Sequence, residues 1–357
     1  AAIAAALFAQ NAIAAVFALF GGVVADRVER RRILVRTYGL AAVVSIGYVL
    51  LSAGDFDAIW PVYPLAAVVG AAGAFTNPAR QSMLSQILQR SQLQNGIILG
   101  TMAFMATLQF GGPTLGGFLA DGPGLTTAFA AEVVLLGTAA ILFMTIMPAP
   151  PVPTGKSVLT DLRSGLGFVW RRKDLLGVLA LGAVPGVFFI GPFAVTNVLM
   201  VEDVYERGDK FVGILWGSLG GGILLGSALM TVVRVGRRGL LLCLSVVFGG
   251  VSLVIFGATS NVWIAIPTLV AGGVLGPAIF INFAGALLQE NTEPAMIGRV
   301  MSMYGLSFTA STPLGFAWGG AIASVFGPQE ALVTSGVLMV ACGVLAVLFL
   351  APVKRMG

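Results

Sequence analysis

Histidine is absent from this 357-residue sequence, which removes histidine-based catalytic triads and histidine metal sites. Cysteine is nearly absent: Cys243 and Cys342 stand alone within apolar runs. They lack the spacing of a disulfide framework or a zinc site and read as small buried hydrophobes. Charge is scarce, at 10% of residues against roughly 25% in soluble domains. No paired acids lie well inside an apolar run, and no complete Gly-x-x-x-x-Gly-Lys-Ser/Thr phosphate loop is present. These absences argue against a membrane-embedded enzyme, imply no cofactor or metal, and argue against ATP drive within the chain. A channel would require a filter or a charged ring, and none stands out.

What remains is apolar. The chain is 57% hydrophobic with 48 glycines, and its apolar runs approach the roughly 20 residues that cross hydrocarbon as a helix. Glycine at this level suits packed transmembrane helices whose backbones approach closely. Eleven spans are expected, near residues 2–24, 33–53, 58–79, 95–119, 126–147, 175–200, 211–233, 239–258, 262–288, 300–325 and 330–351. The long break at 148–174 opens Pro-Ala-Pro-Pro-Val-Pro and closes Arg171-Arg172-Lys173. It reads as a linker with an interfacial helix. The expected organisation is a five-span bundle over 1–148, a cytoplasmic linker over 149–174 and a six-span bundle over 175–357.

The net charge of +5 sits in short loops, which suits topology and contact with anionic lipid rather than nucleic acid. Of the 20 Lys and Arg, all but Arg207 and Lys210 fall in one alternate set of loops. That set is therefore expected to be cytoplasmic, with residue 1 outside and Gly357 inside. The sequence also echoes itself. Arg27-Val28-Glu29-Arg30-Arg31 returns as Arg234-Val235-Gly236-Arg237-Arg238, and Asn77 has a counterpart in Asn282. Two homologous bundles would produce both echoes. The start, Ala-Ala-Ile inside an apolar run, reads as a truncated N-terminus.

With these residues in view, the chain resembles the major facilitator superfamily. Its signature, Gly-x-x-x-Asp-Arg-x-Gly-Arg-Arg, maps to Gly22, Asp26, Arg27, Arg30 and Arg31, with Glu29 in place of the usual glycine. Gly112-Pro113-Thr114-Leu115-Gly116-Gly117 resembles the antiporter motif of drug exporters. Leu99 and Leu108 stand where the longer form of that motif has glycine, and residues 58–79 lack the exporters' arginine. Together with Asn77-Pro78-Ala79-Arg80 and Gly298-Arg299-Val300, the pattern is similar to the macrolide-efflux and enterobactin-exporter-like branch. The resemblance implies a two-bundle, all-α membrane fold with about eleven of twelve helices present. It implies a first family helix missing from this sequence, along with any proton carboxylate on it. The implied activity is secondary export of drugs, siderophores or other amphipathic molecules by alternating access, in a bacterial-type inner membrane, as a monomer. A facilitator or importer of a small metabolite is the alternative.

Asp26 lies at the C-terminal end of its span, where a carboxylate opposes the helix dipole. It is expected to find an arginine or the N-terminus of the span beginning near Val300. The resemblance implies that this contact latches the cytoplasmic side; the charges are otherwise explained by topology alone. Gly112, Pro113, Gly116 and Gly117 are read either as a hinge or seal, or as helix packing. Glu132 is the one acid well inside a span and is the candidate proton site, although the resemblance places its helix at the periphery. Gln10, Asn11, Gln109, Asn197 and Asn282 are in-span polar residues that face a cavity or tie helices together. Asn282 is the preferred cavity residue.

Overall fold

The computed structural model describes the backbone of residues 2–54, 60–87, 103–104, 106–146, 167–233, 235–293, 296–354 and 356. Their side chains are described except at 2–3, 18–27, 77–78, 81–82, 84–87, 109 and 298. Every described regular element is helical. In chain order they are α1 (Ala2–Arg27), α2 (Arg30–Ala53), α3 (Val62–Ile87), α4 (Gly112–Asp121, entered through a wide turn at Thr107–Gly111) and α5 (Leu125–Thr145). After the linker come α6 (Lys173–Val204), α7 (Lys210–Val232), α8 (Arg238–Ala258), α9 (Val262–Glu290), α10 (Ile297–Phe326), α11 (Pro328–Phe349) and the short α12 (Ala351–Lys354). Each of the eleven expected spans contains described helix, although 58–59, 95–102, 105 and 147 lie outside the described residues. Among the described residues, seven helices are long and apolar enough to cross a bilayer: α2, α5, α6, α7, α8, α9 and α11.

Four helical turns depart from regular α-geometry among the described residues, three of them near a proline. The wide turns Thr107–Gly111 and Gly186–Ile190 end two residues before Pro113 and Pro192, and Val274–Ala278 contains Pro277, whereas Met200–Val204 has no proline. A proline ring clashes with the carbonyl four residues back and donates no N–H. Widening one turn absorbs both defects without ending the helix. The expected spans 95–119, 175–200 and 262–288 run through these prolines, and the structure carries the helix through them as well.

Two turns repeat each other. Gly124, before α5, has φ 104° and ψ 164°, and Gly327, before α11, has φ 104° and ψ 167°. Only glycine adopts this region without strain. Gly124→Ala is therefore expected to cost about 1–3 kcal/mol, with Gly327→Ala costing a similar amount. Thermal unfolding of each variant in detergent checks this, and an unchanged midpoint in both would refute it.

Packing sorts the helices. α1, α2 and α3 pack on one another, and α5 packs on α2 and α4. After the linker, α8 and α11 form the most extensive pair, α7 packs on α9, and α10 packs on α6 and α11. The largest buried apolar cluster lies in this second group, around Phe193, Phe256, Leu215 and Leu287. A smaller cluster, Ile33, Leu34, Ala79 and Met83, lies in the first. Among the described residues, the two groups meet chiefly through α1 with α10 and through α4 with α7.

Candidate functional site

The arginine-bearing end is built from helix termini. Backbone helix runs through Gly22, Asp26 and Arg27; their side chains lie outside the described set, and so does the expected contact of Asp26. Glu29 begins α2 with φ −54° and ψ 119°. This conformation is open to any residue, so the turn needs no glycine and glutamate is tolerated. Glu29 then binds Arg32 at 2.7 Å, placing a carboxylate at the positive end of α2. Arg31 donates to the Met144 carbonyl at 2.6 Å, placing a cation at the negative end of α5. Arg30 is half-buried, and its Nε has no hydrogen-bond partner among the described residues.

The echo at residues 234–238 is pinned in a related way. Arg237 takes the left-handed conformation, φ 58°, and Arg238 makes two hydrogen bonds to Glu290 at 2.8 and 2.6 Å. Arg172 binds Asp174 at 3.0 and 2.6 Å and also reaches the Asn291 carbonyl at the end of α9. Its charge-assisted bonds to Asp174 hold the Arg172 guanidinium above its ordinary range. Cations thus sit on the C-terminal ends of α5 and α9, where the helix dipole favours them.

At the opposite end, α4 and α7 form a tight seam. A Cβ on Gly117 would lie 2.8 Å from the Gly213 Cα, and one on Gly213 would lie 2.6 Å from the Pro113 carbonyl oxygen. The Thr114 hydroxyl donates to the Gly213 carbonyl at 3.4 Å. One turn further, Lys210 pairs with Asp121 at 3.3 Å. Gly116 points elsewhere: its Cβ would meet no other residue within 4 Å among those described. Of the motif read in the sequence, Pro113 and Gly117 form the seam, and Gly112 faces the Thr107 carbonyl of its own wide turn. Gly213 and Asp121 were not singled out in the sequence, and Lys210 was read only as a loop cation. A usable signal was present, since Lys210 is one of two cations on the cation-poor side and Asp121 closes the helix carrying the motif.

The second seam joins α1 to α10. Ala4 and Leu7 pack with Phe316 and with Ala194 and Val195 of α6. Both seams lie toward the end remote from the arginine-bearing loops.

The in-span polar residues separate by environment. Asn11 donates to Leu7 within its own helix, and the Gln10 backbone closes against Gly70 of α3. Asn197 is fully buried and donates to the Val212 carbonyl, tying α6 to α7. Asn282 is exposed and donates to Ser227 of α7 at 3.0 Å and to Ala278. The Gln109 side chain lies outside the described set. Glu132 is exposed on α5, with Ser45 and Tyr48 of α2 beside it.

The helix order, the apolar spans and the paired seams define an all-α, multi-pass transporter of the major facilitator type. The chain belongs to the transmembrane secretion effector family, which it matches over residues 2–356. Among its relatives, the enterobactin exporter EntS of Shigella flexneri is 24% identical over 344 residues, covering 94% of this chain and 80% of that protein. The EntS of Escherichia fergusonii is 23% identical with the same coverage. A POT family transporter solved with 5-aminolevulinic acid superposes with a TM-score of 0.76 at 11% identity, covering 99% of this chain and 88% of its own. A mutant of the nucleoside transporter NupG gives 0.72 at 12%, covering 99% and 90%. At such identities the solved structures support the fold alone. The chain is a membrane transporter of an exporter family.

Proposed function

We propose that this transporter exports amphipathic small molecules, of the siderophore or drug type, by alternating access between a bundle over 1–148 and a bundle over 175–357. The carrying observation is that, among the described residues, the two main seams between the helix groups lie at the cation-poor end. If the arginine-bearing loops are cytoplasmic, as the positive-inside rule requires, this conformation is closed on the outer side. The reverse state requires the Gly117–Gly213 and Asp121–Lys210 contacts to separate while the arginine-bearing ends approach. Asp26, whose charge opposes its own helix dipole, is the residue proposed to hold that second closure. The likeness to EntS supports export and an amphipathic substrate.

Proton coupling is proposed through Glu132. The test is compound efflux in cells expressing this protein, with and without a protonophore, for wild type, Asp26→Asn and Glu132→Gln at equal membrane abundance. Efflux that collapses with the protonophore is expected, along with at least a tenfold loss in Asp26→Asn. Wild-type efflux by Asp26→Asn would refute the latch, and unchanged proton-driven efflux by Glu132→Gln would remove that residue from coupling.

A further inference from the structure

We propose that the arginine-lined cavity between the ends of α2 and α5 holds the headgroup of an anionic phospholipid. Glu29, Arg31, Arg32, Val35, Arg36 and Met144 line this cavity of about 310 Å³. That is about ten water volumes, enough for a phosphate with its glycerol. Three arginines face one glutamate, leaving two positive charges in excess.

The cations are arranged rather than merely present. Arg31 is oriented by its 2.6 Å bond to the Met144 carbonyl, and Arg32 by its 2.7 Å contact with Glu29. Arg36 lies one turn beyond Arg32 on the same face and is exposed. Topology alone requires positive charge in a loop; it does not require three guanidinium groups lining one cavity, two of them with a defined partner. Guanidinium forks match phosphate oxygens in geometry as well as charge.

The surface leading away from the cavity suits acyl chains. On α2 the exposed residues Arg32, Arg36, Leu40, Val43, Ile46 and Leu50 recur at spacings of three and four, so they form one stripe. On α5, which packs on α2, Leu135, Ile141, Leu142 and Met144 are also exposed. From Arg36 to Ile46 the stripe runs about 15 Å, the depth of one leaflet's hydrocarbon. A molecule with an anionic phosphate at one end and two hydrocarbon chains fits both parts. A soluble phosphate ester uses only the cavity, and a zwitterionic lipid gains less from the excess charge.

Native mass spectrometry of the detergent-purified full chain tests this by titration with phosphatidylglycerol, phosphatidylcholine and glycerol 3-phosphate. Phosphatidylglycerol is expected to bind wild type more tightly than phosphatidylcholine does. Arg32→Ala/Arg36→Ala is expected to weaken it roughly 30-fold, from about 1 kcal/mol for each cation. Arg32→Lys/Arg36→Lys should retain most of the binding, and Arg207→Ala, at the other end, should retain all of it. Equal affinity of the alanine double variant for phosphatidylglycerol, or equal binding of phosphatidylcholine by wild type, overturns the proposal. Glycerol 3-phosphate competing at equal concentration overturns it in favour of a soluble phosphate site. The readout is binding, so its failure is separate from any failure of the export reading.

Discussion

Gly117→Leu is expected to reduce export at least tenfold, while Gly116→Leu, one residue away, leaves it near wild type. A side chain at 117 would begin 2.8 Å from the Gly213 Cα and 3.0 Å from the Asp209 carbonyl oxygen. Both obstacles are backbone, so no flexible side chain can yield, and α4 must move from α7. Overpacking of this kind costs about 1–3 kcal/mol, and the upper end corresponds to a more than hundredfold shift between two states. The cost falls on the conformation seen here and not on one in which the seam is open, so the population moves toward the open form. Two measurements at matched membrane abundance check this. Efflux should fall, and a cysteine introduced at Thr114 should react faster with a membrane-impermeant thiol reagent. Equal efflux in Gly116→Leu and Gly117→Leu would show that the seam does not govern transport. The Asp121–Lys210 pair is a smaller contributor. Its partly exposed groups make it worth about 1 kcal/mol or less, so Lys210→Ala should weaken closure without abolishing export.

Gly250→Val is expected to prevent stable folding of the second helix group. A Cβ at Gly250 would lie 2.7 Å from the Gly336 carbonyl oxygen and 2.8 Å from the Val340 backbone nitrogen, and one at Gly336 would lie 2.7 Å from the Gly250 carbonyl oxygen. The two helices touch backbone to backbone, and this pair, α8 with α11, is the most extensive among the described residues. In a bilayer, hydrophobic burial adds little to helix association, and close packing supplies most of it. Separating α8 from α11 by the width of a side chain therefore removes contacts along both helices. The cost should reach about 3 kcal/mol or more. It would be read as lost monodispersity on size exclusion and a lowered unfolding midpoint. Gly137→Val is the control, since its Cβ would meet no other described residue within 4 Å. A normal midpoint for Gly250→Val would mean that α8 and α11 can slide apart without loss.

The long apolar runs located the helices because crossing hydrocarbon imposes a length and forbids unpaired backbone. For the same reason the prolines of α4, α6 and α9 were legible as residues but not as geometry. Whether a proline ends a helix or widens one turn depends on whether neighbouring helices hold the chain straight. The signature loop was legible from its residue types. That Glu29 replaces glycine harmlessly was not, because the answer is a φ of −54°. Asn197 and Asn282 look alike in sequence; the first is buried between α6 and α7, and the second is exposed toward Ser227.

By itself, then, the sequence determined the class, the spans, the cation asymmetry and the internal echo. These follow from composition and periodicity, which bilayer energetics constrain directly. The tertiary structure decided which of two adjacent glycines, Gly116 or Gly117, meets a neighbour. It also decided that Asp121 finds Lys210 and that both seams gather at one end. Consecutive helical residues point about 100° apart, and only the placement of a second helix says which direction is occupied.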